Sequence, residues 1–372
     1  MGKKNKKEKK GKEKTILKTE KKAAKKAKKD LADRGEDDIE KLIAEFQADD
    51  LKRIQVQEEK CLPPSPRSSM TLCAHPDKDE LVMFGGEYLV NKKLYMYNDL
   101  LFYNIKKDEW LQVVAPNAPP PRSSHQAVAL KQAGGQLWIF GGEFASPTQS
   151  QFYHYKDLWV YFFREKKWEK VNSPGGPSAR SGHRMISFRK QLLVFGGFHD
   201  NIRDYKYFND VHAFNLETYT WSKVDVSGSP PEPRSSCMLL PLQDQTRVMV
   251  YGGYSKERVK KDVDRGKTHT DMFLFMPEGR LKEENITKWK WHSVKQSGTR
   301  PSARCGFSAV VVPGNRSVCF GGVYDEEENE EQLRGVFYNE MYSLELDKYK
   351  WHDVLLRGKK TGEERKKKKE EK

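Results

Sequence analysis

Apolar runs recur along the chain at a fixed beat. Four or five apolar positions, as in Leu193-Val194-Phe195, close on a doubled glycine at Gly85-Gly86, Gly141-Gly142, Gly196-Gly197, Gly252-Gly253 and Gly321-Gly322, in steps of 56, 55, 56 and 69 residues. A second run opens behind an acid, at Asp99, Asp157, Asp210, Asp271 and Glu340. A third segment carries Trp-x-x-Val, at Trp110/Val113, Trp168/Val171, Trp221/Val224, Trp291/Val294 and Trp351/Val354. Each unit starts with an arginine in proline-rich surroundings: Arg67, Arg122, Arg180, Arg234 and Arg304. The spacing predicts four short strands per unit: a after the Arg, b ending at Gly-Gly, c after the acid and d at Trp-x-x-Val. Self-similarity at such a period signals a repeat architecture.

Four-stranded units of this length suit the blades of an all-β propeller, which exposes only short edges. The doubled glycine permits positive φ and lets strands crowd without a Cβ clash. The tryptophan is sized to fill the wedge between blades. In an up-and-down meander the b–c and d–a loops share one face. The b–c loops run about a dozen residues or more here and the d–a loops are proline-rich, whereas c–d turns such as 104–109 are brief. The b–c/d–a face is therefore the expected binding face.

Ring closure is the difficulty. Ile54-Gln55-Val56-Gln57 falls where other units carry strand d, yet no a, b and c strands follow Val354 to complete its blade. The strand count predicts five complete blades and an open or imperfect ring, of six-blade type lacking most of one blade. The spare strand is expected either to pair on a blade edge or to stay loose. Ahead of it, Ile39, Leu42, Ile43 and Phe46 make one face of a short helix behind Glu36, Asp37 and Asp38. That helix is expected to pack on the side of the propeller, with a partner-binding helix as the alternative.

Charge changes the picture only at the ends. The net charge is +15, but residues 1–30 hold +11 and 357–372 hold +5, leaving the body near neutral. The expected organisation is a lysine-rich disordered tail at 1–36, a helix and leading strand at 37–61, the propeller at 62–356 and a charged tail at 357–372. Lysine without interleaved aromatics suits non-specific RNA or another polyanion, or nuclear entry. No apolar run is long enough to span a bilayer and no apolar core follows the basic start, so no membrane anchor or signal peptide is expected. Lys6 argues against N-myristoylation of Gly2. Five cysteines without C-x-x-C spacing suit reduced thiols in the cytoplasm and/or nucleus.

The chemistry is sparse. No metal-spaced histidine set, P-loop or nucleophile elbow is present, so no cofactor and no metal are expected. His125 and His183 share a column with Met70, Cys237 and Phe307, which reads as packing. The four columns together resemble the kelch repeat over roughly residues 62–356. The stretches 141–147, 151–160 and 254–270 are similar to the kelch domain-containing protein 4 group of that family.

The resemblance implies a non-enzymatic scaffold or adaptor for a protein partner. Its alternatives are the substrate-recognition subunit of a ubiquitin ligase and a metal-dependent kelch enzyme. It also implies that Arg67, Arg122, Arg180, Arg234 and Arg304 line a pocket for an acidic peptide or terminal carboxylate; blade-joining salt bridges to the five column acids are the competing expectation. Glu87, Glu143, His199, Tyr254, Lys256 and Arg258, just behind the glycine pairs, complete the candidate partner site. The basic 254–270 loop and the acidic 325–331 loop make that face bipolar.

Overall fold

The computed structural model describes residues 38–53, 55–201, 204–260, 263–278, 288–329 and 332–355, with single helical positions at Lys22, Lys25, Lys26 and Lys29. The propeller body is five antiparallel sheets, each ordered d-c-b-a. Blade 1 comprises Thr71–Ala74, Glu80–Phe84, Leu100–Asn104 and Glu109–Val114. Blade 2 comprises Gln126–Leu130, Gln136–Phe140, Leu158–Phe162 and Lys167–Val171. Blade 3 comprises Arg184–Phe188, Gln191–Phe195, Val211–Asn215 and Thr220–Lys223. Blade 4 comprises Met238–Pro241, Val248–Lys260, Val263–Pro277 and Lys288–Val294. Blade 5 comprises Ser308–Val312, Arg316–Phe320, Met341–Glu345 and Lys350–Val354.

The joints between blades explain the columns. The tryptophan of each later blade lies on the aromatic ring that ends strand b of the blade before it. Trp168 meets Phe84 at 5.3 Å, Trp221 meets Phe140 at 5.4 Å, Trp291 meets Phe195 at 5.4 Å and Trp351 meets Tyr251 at 4.9 Å. Apolar clusters fill the four joints from blade 1/2 to blade 4/5. The glycine pair lets these surfaces close. Gly85 sits at φ +67°, where a Cβ would fall 2.6 Å from the Arg122 carbonyl of the next blade. At Gly86, φ +99°, it would fall 2.8 Å from Met70 Cβ in the same blade. One glycine admits the neighbour and the other the blade's own strand a.

Backbone hydrogen bonds run around the channel mouth from blade to blade. Ser124 N–H donates to Ser69 O at 2.9 Å, Gly182 to Ser124 at 2.9 Å, Ser236 to Gly182 at 2.8 Å and Gly306 to Ser236 at 3.0 Å. Among the described residues, no apolar cluster joins blade 5 to blade 1. Leu72 on strand a of blade 1 is 49% exposed, and Val310 on strand a of blade 5 is 59% exposed. These two edges form an open seam.

The spare N-terminal strand occupies Gln57–Cys61, slightly later than the sequence places it; Ile54 lies outside the described residues. It pairs antiparallel on the outer edge of Glu109–Val114, with Lys60 on Glu109 at 2.9 Å. Blades 4 and 5 gain comparable outer strands from their linkers, Asp225–Gly228 and Ser297–Gly298, both parallel to strand d. Helix α1 (Ile39–Leu51) is capped by Asp38, whose side chain accepts from Glu40 N–H at 3.1 Å. It packs Ile39 and Ile43 against Phe144 and Tyr155 of blade 2. Asp50 accepts the Ala118 N–H at 2.6 Å and ties the helix end to the blade 1–2 linker.

The b–c connections are not open loops. They fold as β-hairpins: Glu87–Val90 with Lys93–Met96, Glu143–Ala145 with Phe152–His154, Phe198–Asn201 with Asp204–Tyr207, and Val323–Asn329 with Gln332–Phe337. In blade 4 the hairpin is a continuation of strands b and c themselves, paired from Gly253/His269 out to Lys260/Val263. Strand pairing satisfies backbone groups that a long loop would leave to water.

Candidate interaction face and channel

Each column arginine reaches from the start of strand a to the acid that starts strand c of its own blade. Arg122 is bidentate on Asp157 at 2.8 and 3.2 Å, and also donates to Gly141 O at 3.0 Å and Pro120 O at 3.2 Å. The others pair as Arg67–Asp99 at 3.0 Å, Arg180–Asp210 at 2.7 Å, Arg234–Asp271 at 2.5 Å and Arg304–Glu340 at 2.7 Å. Four guanidinium faces cover an aromatic ring: Arg67 on Tyr97 at 3.7 Å, Arg122 on Tyr155 at 4.1 Å, Arg180 on Phe208 at 4.0 Å and Arg304 on Tyr338 at 3.6 Å. Burial alone would raise the Asp157 carboxyl, but the Arg122 charge and hydrogen bonds outweigh it and hold the group below its usual range. Asp210 is lowered too: burial opposes it, but the His212 hydrogen bond and then the Arg180 hydrogen bond and charge outweigh that.

This geometry differs from the pocket that the resemblance implies. Arg122, Arg180, Arg234 and Arg304 are buried inside the blades and Arg67 nearly so, with their guanidiniums engaged by their own carboxylates and carbonyls. The pairs fasten strands within a blade rather than joining blades as expected, because the only acid each arginine reaches is the one that starts strand c of its own sheet. The arginine backbone joins blades: Arg122 N–H donates to Tyr97 O at 3.1 Å and Arg122 O accepts from Gly86 N–H at 2.9 Å. The candidate surface is therefore built from the remaining residues.

Those residues divide into two groups. Glu87 and Glu143 bridge blades at the hairpin bases: Glu87 accepts from Ser123 Oγ at 2.9 Å and from Ser69 Oγ at 3.3 Å, and Glu143 accepts from Ser181 Oγ at 3.0 Å. His199 joins the Glu143 side, its ring 4.6 Å from His154 and its Nδ1 3.0 Å from Ala179 O. The second group, Tyr254, Lys256 and Arg258, lies on the long blade 4 hairpin. Arg258 sits over Tyr205 at 5.3 Å and pairs with Asp264 at 3.3 Å and Asp204 at 3.6 Å, while Tyr254 meets Tyr207 at 6.5 Å. The blade 4 hairpin is thus braced against that of blade 3, with Lys256 exposed.

Between the groups lies a polar chain that the sequence did not single out. Asp200 Oδ1 is 2.6 Å from His154 Nε2, His154 Nδ1 is 3.1 Å from Ser181 Oγ, and Ser181 donates on to Glu143. Burial pushes the Glu143 carboxyl up to about 7, against lowering by His154 and the Ser181 hydrogen bond. Ser181 is fully buried and its proton goes to Glu143, so its hydroxyl is a strut between blades 2 and 3 rather than a reachable nucleophile. The available signal was His154 itself, in a column otherwise filled by Met96, Tyr207, Thr268 and Phe337.

His125 and His183 lie in the core, with His125 Nε2 3.0 Å from Thr71 Oγ1. Burial pushes the His125 imidazole down to about 3 and holds His183 well below its usual value. Strands a of all five blades surround a channel cavity of about 540 Å³. Among the described residues, no group of three or more His, Cys, Asp or Glu side chains is placed to hold a metal ion. No helix among them is long and apolar enough to cross a membrane.

Five blades of this pattern define a kelch-type β-propeller, all-β with helix α1 packed at its hairpin face. The family model for the FBX42 beta-propeller domain matches residues 67–273, and the chain belongs to that family. It is 25% identical to an N-(sulfonatooxy)prop-2-enimidothioate sulfolyase of Thlaspi arvense, over 77% of this chain and 79% of that one. It is 24% identical to kelch domain-containing protein 2 of Bos taurus, over 64% of this chain and 58% of that one. The solved structure titled "Structure of YjhT" superposes with a TM-score of 0.56 at 16% identity, covering 78% of this chain and 84% of that one; this likeness concerns the fold alone.

Proposed function

We propose that this chain is a non-enzymatic scaffold that holds a protein partner on its hairpin face. The observation that carries the reading is the crown of five β-hairpins standing on fastened blades, with the blade 4 hairpin carrying exposed basic side chains. Rigid elements bearing exposed charge on one face suit partner steering and register. Kinship with kelch-domain proteins supports the same class. A closer placement beside the kelch domain-containing protein 4 group rests on the sequence stretches alone. The lysine-rich tails supply a separate electrostatic contact with RNA or another polyanion, and location in the cytoplasm and/or nucleus fits the reduced thiols.

The test is affinity purification with cross-linking, comparing wild type with a Lys256→Glu/Arg258→Glu double variant of unchanged melting temperature. Loss of specific partners in the variant supports the reading. An identical partner set after the hairpin charge is reversed counts against it. The sulfolyase relative is the one observation that favours an enzyme. That reading is checked by assaying purified protein on N-(sulfonatooxy)prop-2-enimidothioate with and without added iron; turnover above the protein-free rate would overturn the scaffold.

A further inference from the structure

Ser65 stands two residues before the column arginine of blade 1, and the same position holds Pro120, Ser178, Glu232 and Ser302 in blades 2 to 5. Only in blade 1 is that serine followed by a proline, Pro66. Pro63, Pro64 and Pro66 leave no strand between Cys61 and Thr71 and hold the linker extended, because a residue before proline is driven out of the helical region. Ser65 is half-buried there, with Leu62, Pro63 and Pro66 exposed around it. Its Oγ donates to the Tyr97 hydroxyl at 3.1 Å and accepts from Arg67 Nη2 at 3.3 Å, and the guanidinium lies over the Tyr97 ring at 3.7 Å. Arg67 gives Asp99 a single hydrogen bond, whereas Arg122, Arg180 and Arg234 each give their acid two; Nη2 of Arg67 is thereby left to Ser65. Blade 4 shows that the column accepts an anion. Glu232 puts a carboxylate there, held below its usual range by the Lys267 hydrogen bond, with the Arg234 charge adding to it.

We propose that Ser65 is a phosphorylation site for a proline-directed kinase, and that Arg67 and Tyr97 receive the phosphate. Kinases of that class read a serine followed by proline in an extended peptide, which is the form this linker already has. In the transfer Ser65 Oγ bonds to the γ-phosphorus of ATP, the bond from that phosphorus to the β-bridging oxygen breaks to leave ADP, and the hydroxyl proton passes to the kinase's base. Oγ then has no hydrogen to donate, so the Tyr97 hydroxyl turns to donate to the phosphate, beside Arg67 Nη2. Nη1 keeps Asp99, and the guanidinium bridges the two anions. The other Ser-Pro pairs lack this setting. Ser146 is buried, Ser173 Oγ is buried, and Ser229 lies in a linker whose column position, Glu232, is already acidic. Blade 1 has a neighbour on one side only, so a phosphate on Arg67 fastens the linker at a free end of the open ring. The inference goes beyond the scaffold reading and does not rest on it.

The experiment incubates the full chain with ATP, magnesium and a purified proline-directed kinase, maps the phosphate by peptide mass spectrometry and titrates it by phosphorus NMR. Phosphate should appear at Ser65 and be missing there in Ser65→Ala. Its second ionisation should fall from the ordinary value of about 6 to about 5 beside the Arg67 charge, and Arg67→Gln should return it to about 6. Tyr97→Phe keeps the ring under Arg67 and removes the donor; it should move the ionisation part of the way back, and it serves where Arg67→Gln does not fold. Ser65 left bare by a kinase that is active on a Ser-Pro standard peptide overturns the site. A wild-type phosphate that ionises at about 6 overturns the role of Arg67 and Tyr97 without any variant. Neither failure touches partner capture through Lys256 and Arg258, so the two readings fall separately.

Discussion

Trp110 and Phe320 are the two halves of one contact that this chain does not make. At the four joints an indole lies on the ring ending the neighbouring strand b. Trp110, the blade 1 member of the column, instead stacks near Tyr103 of its own blade at 5.0 Å, and Phe320, the blade 5 member, is 43% exposed. Identical sequence positions therefore carry different energies according to whether a neighbour arrives.

Substitution at the two kinds of position should separate cleanly. Phe140→Ala empties a fully buried site under Trp221 and should cost about 3–5 kcal/mol. Phe320→Ala removes a half-exposed ring and should cost under about 1.5 kcal/mol. Urea unfolding of both variants measures the difference; equal losses would mean that the seam is closed in solution.

The arginine–acid pairs should grade with burial. Asp157→Asn leaves the Arg122 charge inside blade 2 without its counter-ion and should destabilise by about 3–5 kcal/mol. Glu340 is half exposed, and water screens its pair with Arg304, so Glu340→Gln should cost well under about 1 kcal/mol. Thermal melts at neutral pH rank the two, and a larger loss at Glu340 would contradict the argument.

Glu143 sets a pH dependence of unusual sign for an acid. Its carboxyl is raised from 4.5 to about 7 by burial, so between these values the folded chain holds a proton that the unfolded chain has released. The stability linked to Glu143 is present below pH 4.5, falls as pH rises, and is lost above about 7. Glu143→Gln keeps the acceptor for Ser181 and removes the titration. It should flatten that slope and leave the protein more stable above pH 7, on the order of 1–3 kcal/mol. Melting temperatures of both proteins from pH 5 to 8 test this, and parallel curves would refute it.

Polyanion binding should depend on the lysine-rich start, the more strongly charged of the two basic tails. Deleting residues 1–30 should abolish retention on a homopolymeric RNA column, and wild-type affinity should fall steeply between about 50 and 200 mM salt. Retention by the deletion variant would move the site to the propeller.

The five blades were legible because every strand end carries a marked residue, and each mark proved to be one side of a contact. Gly85, Trp168 and Asp157 each serve a joint or a fastening that recurs. At the arginines the regularity was only half legible: the matched acid column was visible, but the aromatic column that covers the guanidiniums, Tyr97, Tyr155, Phe208 and Tyr338, was not read. His154 escaped for the opposite reason. It occurs once, and a reading built on recurrence passes over a single departure in an otherwise neutral column. The hairpins were hidden because their pairing is local to each loop and follows no shared residue pattern.

The open seam gives this molecule something a closed ring lacks, namely ends. Each blade is held by its immediate neighbours, so blades 2 to 4 have two supports while blades 1 and 5 have one. Opening need not be all-or-none under such an arrangement; it can start at a margin and travel inward. Amide exchange would then form a gradient, fastest in strands a of blades 1 and 5 and slowest in blade 3. The hairpin face would inherit that gradient, with its firmest footing at Glu143 and Asp200 and its loosest beside the acidic hairpin of blade 5.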